Sequence, residues 1–156
     1  MTDYIVLMAG PPAHANGTLP LAGIRVLEFC HAIMGPSAGL ILADLGADVI
    51  KIEPVAGDTT RRLVGFAAGF FGTFNRNKRS VAIDLKADEG RALLHRLAAT
   101  ADVVVENYAP GTMDRLGCGY EDLHDFEASC RSQENTRGAA GSEGAFFSCS
   151  RRNRGT

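Results

Sequence analysis

No two of the four cysteines, Cys30, Cys118, Cys130 and Cys149, stand at C-x-x-C spacing, so the usual signature of a zinc or dithiol redox site is missing. In a chain of 156 residues with ordinary apolar content (46% hydrophobic), four cysteines read as cytosolic thiols and not as a disulfide framework, and the expected compartment is the cytoplasm. Excess positive charge is missing too. A formal net charge of −2 argues against nucleic acid as the main partner, because phosphate-binding domains are usually strongly basic, and it leaves room only for a local basic patch. No apolar run approaches the length of a membrane span. The run at residues 5–9 is too short for the core of a secretion signal, and Asp3 stands where positive charge is expected. Neither G-x-G-x-x-G nor G-x-x-x-x-G-K-[ST] occurs, so a dinucleotide or P-loop site loses its best signal. His14, His31, His95 and His124 share no metal-ligand spacing, and no cofactor or metal is expected.

One further absence is local. From His124 to the end there is no Val, Ile or Leu; Arg, Ser and Gly dominate, and Phe126, Phe146 and Phe147 are the only large apolar side chains. Such a segment has little apolar area to offset its ordering entropy. At the other end, Gly10-Pro11-Pro12 and Asn16-Gly17 are turn and linker signals. The length suits one domain. Residues 1–20 therefore read as a loose leader, 21–123 as the folded part, and 124–156 as an atypical tail, disordered or frameshifted.

Residues 21–123 alternate strand and helix patterns. Strands are expected at residues 24–29, 48–53, 80–85 and 102–106, the last apolar enough to be central in a sheet. Val26, Leu27, Ile50, Ile52, Val81, Ile83, Val103, Val104 and Val105 are the expected buried strand residues. A helix opens at Gly35-Pro36 and ends near Gly46, with an apolar stripe that includes Leu40, Ile41, Ala43 and Leu45. A second helix covers residues 87–101, and shorter ones are expected at 111–116 and 120–126. This order defines an α/β, Rossmann-like, mostly parallel sheet with right-handed crossovers, truncated relative to a full doubly wound domain.

In an open parallel sheet ligands bind beyond the carboxyl ends of the strands. Three segments are placed there by this reading. Residues 30–36 run from the first strand into a helix N-terminus, which favours an anion. Phe74-Asn75-Arg76-Asn77-Lys78-Arg79-Ser80 gathers three cations and two amides; it is either a solvated basic turn or a phosphate clamp, to which Arg61 and Arg62 could add. Glu106-Asn107-Tyr108-Ala109-Pro110-Gly111 follows the fourth strand; it is turn chemistry, or a ring and an amide suited to a purine. His31 has no partner set for a hydrolase triad and reads first as a structural residue.

Taken together these segments resemble a known family. Leu21-Ala22-Gly23-Ile24-Arg25-Val26-Leu27-Glu28, Gly35-Pro36, residues 42–53 (Leu42-Ala43-Asp44-Leu45-Gly46-Ala47-Asp48-Val49-Ile50-Lys51-Ile52-Glu53), Gly57-Asp58, residues 75–80, Asp84-Leu85-Lys86, residues 102–108 and Pro110-Gly111 run in the order and spacing of the family III CoA-transferases. This is the CaiB/BaiF type, which includes formyl-CoA transferase and, more distantly, α-methylacyl-CoA racemase. The resemblance covers about two-thirds of the chain and the first quarter or so of a typical member.

The resemblance implies a Rossmann-like large domain, a small domain and an interlocked homodimer. It implies that Ala32, Ile33 and Met34, with Ile83, Lys86, Asn107, Tyr108 and Arg115, lie against coenzyme A; the basic turn adds Arg76, Lys78 and Arg79 as candidate contacts. Where several members carry an Arg after the second strand, this chain has Pro54. The family reaction exchanges CoA between an acyl-CoA thioester and a carboxylic acid through an Asp nucleophile, a mixed anhydride and an aspartyl-CoA thioester, and it needs a pocket that excludes water. That Asp follows a strand beyond the Gly119-Tyr120-Glu121-Asp122-Leu123 segment. Here the chain continues His124-Asp125-Phe126-Glu127, and no tail residue matches the nucleophile. The expectation is a CoA-contacting fragment, from a frameshift or truncation, with no catalytic residue to assign. The alternatives are a non-catalytic CoA- or nucleotide-binding module and a racemase-like acyl-CoA protein.

Overall fold

The computed structural model describes residues 19–119, 122 and 123. The expected leader, apart from its last two residues, the expected tail and most of the 120–126 helix lie outside the described residues.

Four strands form one sheet: β1 (Arg25–Phe29), β2 (Asp48–Glu53), β3 (Arg79–Ala82) and β4 (Val103–Glu106). Their order is β3-β2-β1-β4 and every pairing is parallel. The α/β expectation holds. Helix α1 (Met34–Asp44) connects β1 to β2, and α3 (Asp88–Ala98) connects β3 to β4. Between β2 and β3 lie two single turns, Thr59–Arg62 and Gly65–Ala67, and the short helix α2 (Phe70–Phe74); α4 (Thr112–Arg115) follows β4.

Alternation along the strands explains the layering. Leu27 and Phe29 of β1 and Ile50 and Ile52 of β2 point to one face, where Ile83, Leu94 and Cys118 complete a buried cluster under α3. Val26 and Cys30, with Val49 and Val105, point to the other face, against Ala43 and Ala47 of the α1 connection. With both faces covered, the central strands carry near-continuous apolar residues.

Two expectations need correction. β4 is an edge strand among the described residues, not a central one, and Val103 and Val104 are half-buried, as is Val81 of the opposite edge strand β3. An edge strand has a neighbour on one side only, so its side chains are less covered. In α1, Leu40 and Ala43 are buried, whereas Ile41 and Leu45 are exposed. The helix presents Gly35, Pro36, Gly39, Leu40 and Ala43 to the sheet, a thin face that brings its axis close.

The end of α1 follows its sequence signal. Gly46 takes a φ of 101°, its N–H donates to the Ala43 carbonyl (2.9 Å), and the N–H of Ala47 donates to that of Leu42 (3.0 Å), the paired bonds of a Schellman cap. The turn into α3 places Asp88 and Glu89 in its first turn and His95 and Arg96 in its last, which suits the helix dipole.

Candidate functional site

The strand order reverses at β1: β2 and β3 lie on one side of it and β4 on the other. This is a topological switch point, where the loops leaving β1 and β4 diverge and a crevice opens at their carboxyl ends. An open cleft of about 360 Å³ lies there. Cys30 and His31 line it from the end of β1, Ile52, Glu53 and Pro54 from the end of β2, Gly57, Asp58 and Thr59 from the following turn, and Tyr108 from the end of β4. The rings of His31 and Tyr108 stack, with centroids 5.3 Å apart and planes 20° from parallel.

Residues 32–34 continue from His31 along this rim, and all three are exposed. Ala32 has a φ of 60°, in the left-handed region that non-glycine residues seldom occupy. The segment is held at both ends. The carboxamide of Asn107 accepts from the His31 N–H (2.9 Å) and donates to the His31 carbonyl (3.0 Å). The carbonyl of Ile33 accepts from the Ser37 hydroxyl (2.7 Å) and the Ser37 N–H (2.8 Å).

The floor beside the cleft is ionic. Glu28 of β1 and Lys51 of β2 are partners in register and both are fully buried. Lys51 Nζ lies 3.3 Å from Glu28 Oε1 and 3.1 Å from Asp58 Oδ2, and it also donates to the Cys30 carbonyl. Lys78 reaches the other oxygen of Glu28 at 2.6 Å and donates to the Pro36 carbonyl (2.8 Å). A chain of alternating charge, Asp58–Lys51–Glu28–Lys78, thus crosses under α1. Burial disfavours both charged forms of the Glu28–Lys78 pair, raising the Glu28 carboxyl above its ordinary value and lowering the Lys78 ammonium below its own, against the mutual attraction of the pair. Asp58 Oδ1 accepts from the Thr60 N–H (2.8 Å) and hydroxyl (2.7 Å). Its Oδ2 has the Lys51 charge beside it but no aligned donor.

Glu53 is held differently. Its carboxylate accepts from Arg61 Nε (2.7 Å) and Nη2 (2.6 Å), from the Asp58 N–H (2.8 Å) and from the Ser80 hydroxyl. Burial pushes its carboxyl up, but these donors together outweigh it and hold the group below the ordinary range. The Arg61 guanidinium also sits 3.7 Å over the Phe71 ring. Burial, reinforced by the neighbouring Glu28 carboxylate, pushes the Cys30 thiol far up, and burial pushes the Tyr108 phenol up to about 12. Both are protonated at neutral pH, so neither serves as an anionic nucleophile.

The sequence-predicted site residues divide by location. Of these Tyr108 lines the cleft; Ala32, Ile33 and Met34 follow the lining residue His31, Asn107 bonds the His31 backbone, Lys86 follows β3 and Arg115 lies in α4. Ile83 follows β3, but its side chain is part of the buried cluster under α3, its N–H donates to the Glu53 carbonyl (2.9 Å), and the residue presents no free surface to a ligand. The basic turn was placed at the carboxyl end, and that placement is corrected. Residues 75–77 precede β3, and Arg76 and Asn77 bond Asp44, the last residue of α1, at the amino end of the sheet. Arg76 pairs with Asp44 (2.7 Å), Arg79 pairs with Asp48 at the start of β2, and Lys78 is buried on Glu28. Arg25 joins the same Asp48 (2.8 Å). The turn's three cations are engaged by acids of this chain, so the turn reads as a structural staple. Arg61 is likewise engaged by Glu53, and Arg62 donates to the Ala56 carbonyl (3.0 Å).

Sequence reading missed the roles of Asp58 and Thr59 in lining the cleft, and the buried ion chain. The signal for the chain was present: Glu28 and Lys51 interrupt otherwise apolar strands at positions that alternate toward α1.

Comparison with known proteins gives the same class as the fold. The family model for CoA-transferase family III matches residues 21–128, and the chain belongs to this family. It is 42% identical over 121 residues to the human succinyl-CoA:glutarate CoA-transferase, covering 74% of this chain and 28% of that protein. To the succinate–glutarate CoA-transferase of Agrobacterium fabrum it is 45% identical over 119 residues, covering 69% and 30%. A crystal structure of the Mycobacterium tuberculosis protein Rv3272 superposes with a TM-score of 0.66 at 45% identity, over 69% of this chain and 31% of that one. The chain therefore spans under a third of the length of these relatives.

Proposed function

We propose that this chain is the coenzyme A-binding part of a family III CoA-transferase, and that CoA or an acyl-CoA lies across the switch-point cleft. The observation that carries the reading is the stacked His31–Tyr108 pair in the cleft beyond the carboxyl ends of β1, β2 and β4, with the exposed 32–34 segment following His31 and Asn107 holding His31 by both backbone groups. The 32–34 backbone and the stacked His31–Tyr108 rings offer a surface to the pantetheine or adenine portion. Lys86 and Arg115, on the same side of the sheet, offer charge to the phosphates. In the proposed whole-protein reaction an acyl-CoA and a carboxylic acid exchange CoA through an Asp nucleophile outside the residues matched here. Two buried free thiols, Cys30 and Cys118, support a reducing cytoplasmic setting. Among the described residues, no helix is long and apolar enough to cross a membrane. An interlocked homodimer belongs to the same reading of the longer protein.

Calorimetry of the 156-residue chain with CoA at low and high salt tests this. Weak binding that falls with salt is expected; no binding at millimolar CoA would overturn it. Mixing the chain with several acyl-CoA donors and acid acceptors, followed by mass spectrometry, is expected to give no covalent enzyme–CoA thioester. An adduct on any residue of this chain would overturn the placement of the nucleophile elsewhere.

A further inference from the structure

We infer that Asn107 is a positioning residue that shapes the 32–34 segment for the ligand and does not itself contact the ligand through its side chain. This rests on the CoA-binding reading of the cleft.

The register of β1 with β4 ends at Phe29 opposite Glu106. One residue further on, a side chain replaces the ladder. The Asn107 carboxamide presents a C=O and an N–H to the N–H and C=O of His31, at 2.9 and 3.0 Å, as a whole residue does in the hydrogen-bonded pair of an antiparallel ladder. Each end of the carboxamide thereby makes one bond to the His31 backbone. Gly35 also packs closely against one side of it. A β-carbon built on Gly35 would come within 2.8 Å of Asn107 Cγ and 2.6 Å of Cys30 Cβ and Sγ. The carboxamide is wedged between the first turn of α1 and the end of β1.

The residue after the clamped His31 is Ala32, at φ 60°. A left-handed alanine persists only where its surroundings over-determine it. Asn107 fixes the residue before the strained position, and the Ser37 bonds to the Ile33 carbonyl fix the residue after it. Without the clamp, Ala32 is expected to relax toward negative φ and to swing Ile33 and Met34 off the rim. The ligand would then have to bear the ordering of this segment on binding.

The test uses the 156-residue chain and three forms: wild type, Asn107→Ala, and Asn107→Ala with Ala32→Gly. Amide hydrogen exchange is measured without ligand, and CoA affinity by calorimetry. In Asn107→Ala, exchange of the His31 amide is expected to speed up about tenfold or more, one hydrogen bond's worth, with CoA affinity reduced by a similar factor and the urea midpoint nearly unchanged. Ala32→Gly is expected to restore part of the affinity, because glycine adopts φ 60° without strain. Asn107→Asp, which preserves shape and the acceptor but not the donor, serves if the alanine variant does not fold, with the same expected direction. Unchanged exchange of the His31 amide overturns the clamp, whatever happens to affinity. Lost affinity with no recovery from Ala32→Gly overturns it in favour of direct contact. A wild-type chain that binds no CoA would sink the proposed function, while exchange would still decide the clamp.

Discussion

Gly39 of α1 lies against the carboxylate of Glu28 so closely that a β-carbon on it would overlap Glu28 Oε2, with Lys78 Nζ 3.1 Å away. A glycine inside a helix ordinarily weakens it by about 0.5–1 kcal/mol relative to alanine. Here its missing side chain is the space that the buried ion pair occupies. Gly39→Ala is therefore expected to lower stability by about 2 kcal/mol or more, from overpacking and a displaced carboxylate, opposite in sign to the helix preference. Urea denaturation checks it, and a raised midpoint would refute it.

Lys78→Met removes one partner from Glu28 and leaves Lys51 as its remaining cation. The expected loss is about 3 kcal/mol, the low end for a broken buried pair, because half of the compensation persists. Adding Glu28→Gln removes the uncompensated charge and is expected to recover about 1 kcal/mol or more of that loss. A double-mutant cycle measures the recovery. Purely additive losses would mean that the two side chains do not act as a pair.

The pH dependence has two opposed parts. Glu53 and Asp58 have folded-state values held below their ordinary 4.5 and 3.8, although burial alone would raise both. Below those ordinary values the unfolded chain binds more protons, so their contribution is complete above the ordinary range and is lost as pH falls toward the folded values. Glu28, raised by burial, acts in the reverse sense: its contribution declines as pH rises from 4.5 through its folded value. Arg61→Met strips Glu53 of two donors. That variant is expected to be less stable at neutral pH and to lose less stability between about pH 5 and pH 3 than wild type. An acid limb as steep as that of wild type would refute the assignment.

Cations at the two ends of the sheet are expected to behave differently. Lys86→Ala with Arg115→Ala should weaken CoA binding by about three- to tenfold and flatten its salt dependence, as removal of exposed phosphate contacts does. Arg79→Ala should leave CoA affinity within error and lower the urea midpoint, since Arg79 is engaged by Asp48. Affinity lost in Arg79→Ala and kept in the double variant would return the binding site to the basic turn.

Much of the architecture was legible because local signals agreed: Pro36 near the start of α1, Gly46 at its end, and apolar strands between them. Strand order was less so. Val103 to Val105 read as a central strand from apolarity, yet apolarity reports only how a strand's faces are covered, and among the described residues β4 has one strand neighbour. The basic turn misled because its cations were visible and their acids were not. Lys78 meets Glu28 across 50 residues of sequence and Arg76 meets Asp44 across 32. The candidate CoA contacts at residues 32–34 rest on family resemblance; the role of Asn107 as a backbone mimic depends on a contact across 76 residues of sequence, and an asparagine at a turn has many commoner explanations.

Strand order also sets a timetable for the nascent chain. β1 can meet β2 as soon as residue 53 has emerged, through the short α1 connection. Its other flank must wait for β4: Arg25 and Asp102, which bond at 2.9 Å, are 77 residues apart. Closing so long a loop is slow compared with the local β1–α1–β2 unit. During that interval the strand that ends up in the interior is temporarily a border, with the apolar Val26 and Leu27 and an open row of backbone groups. Such a border is a template for wrong pairing. The vulnerable period of this protein is therefore its synthesis, and variants that delay β4 should show their defect first as aggregation during expression, before any loss of stability in the purified chain.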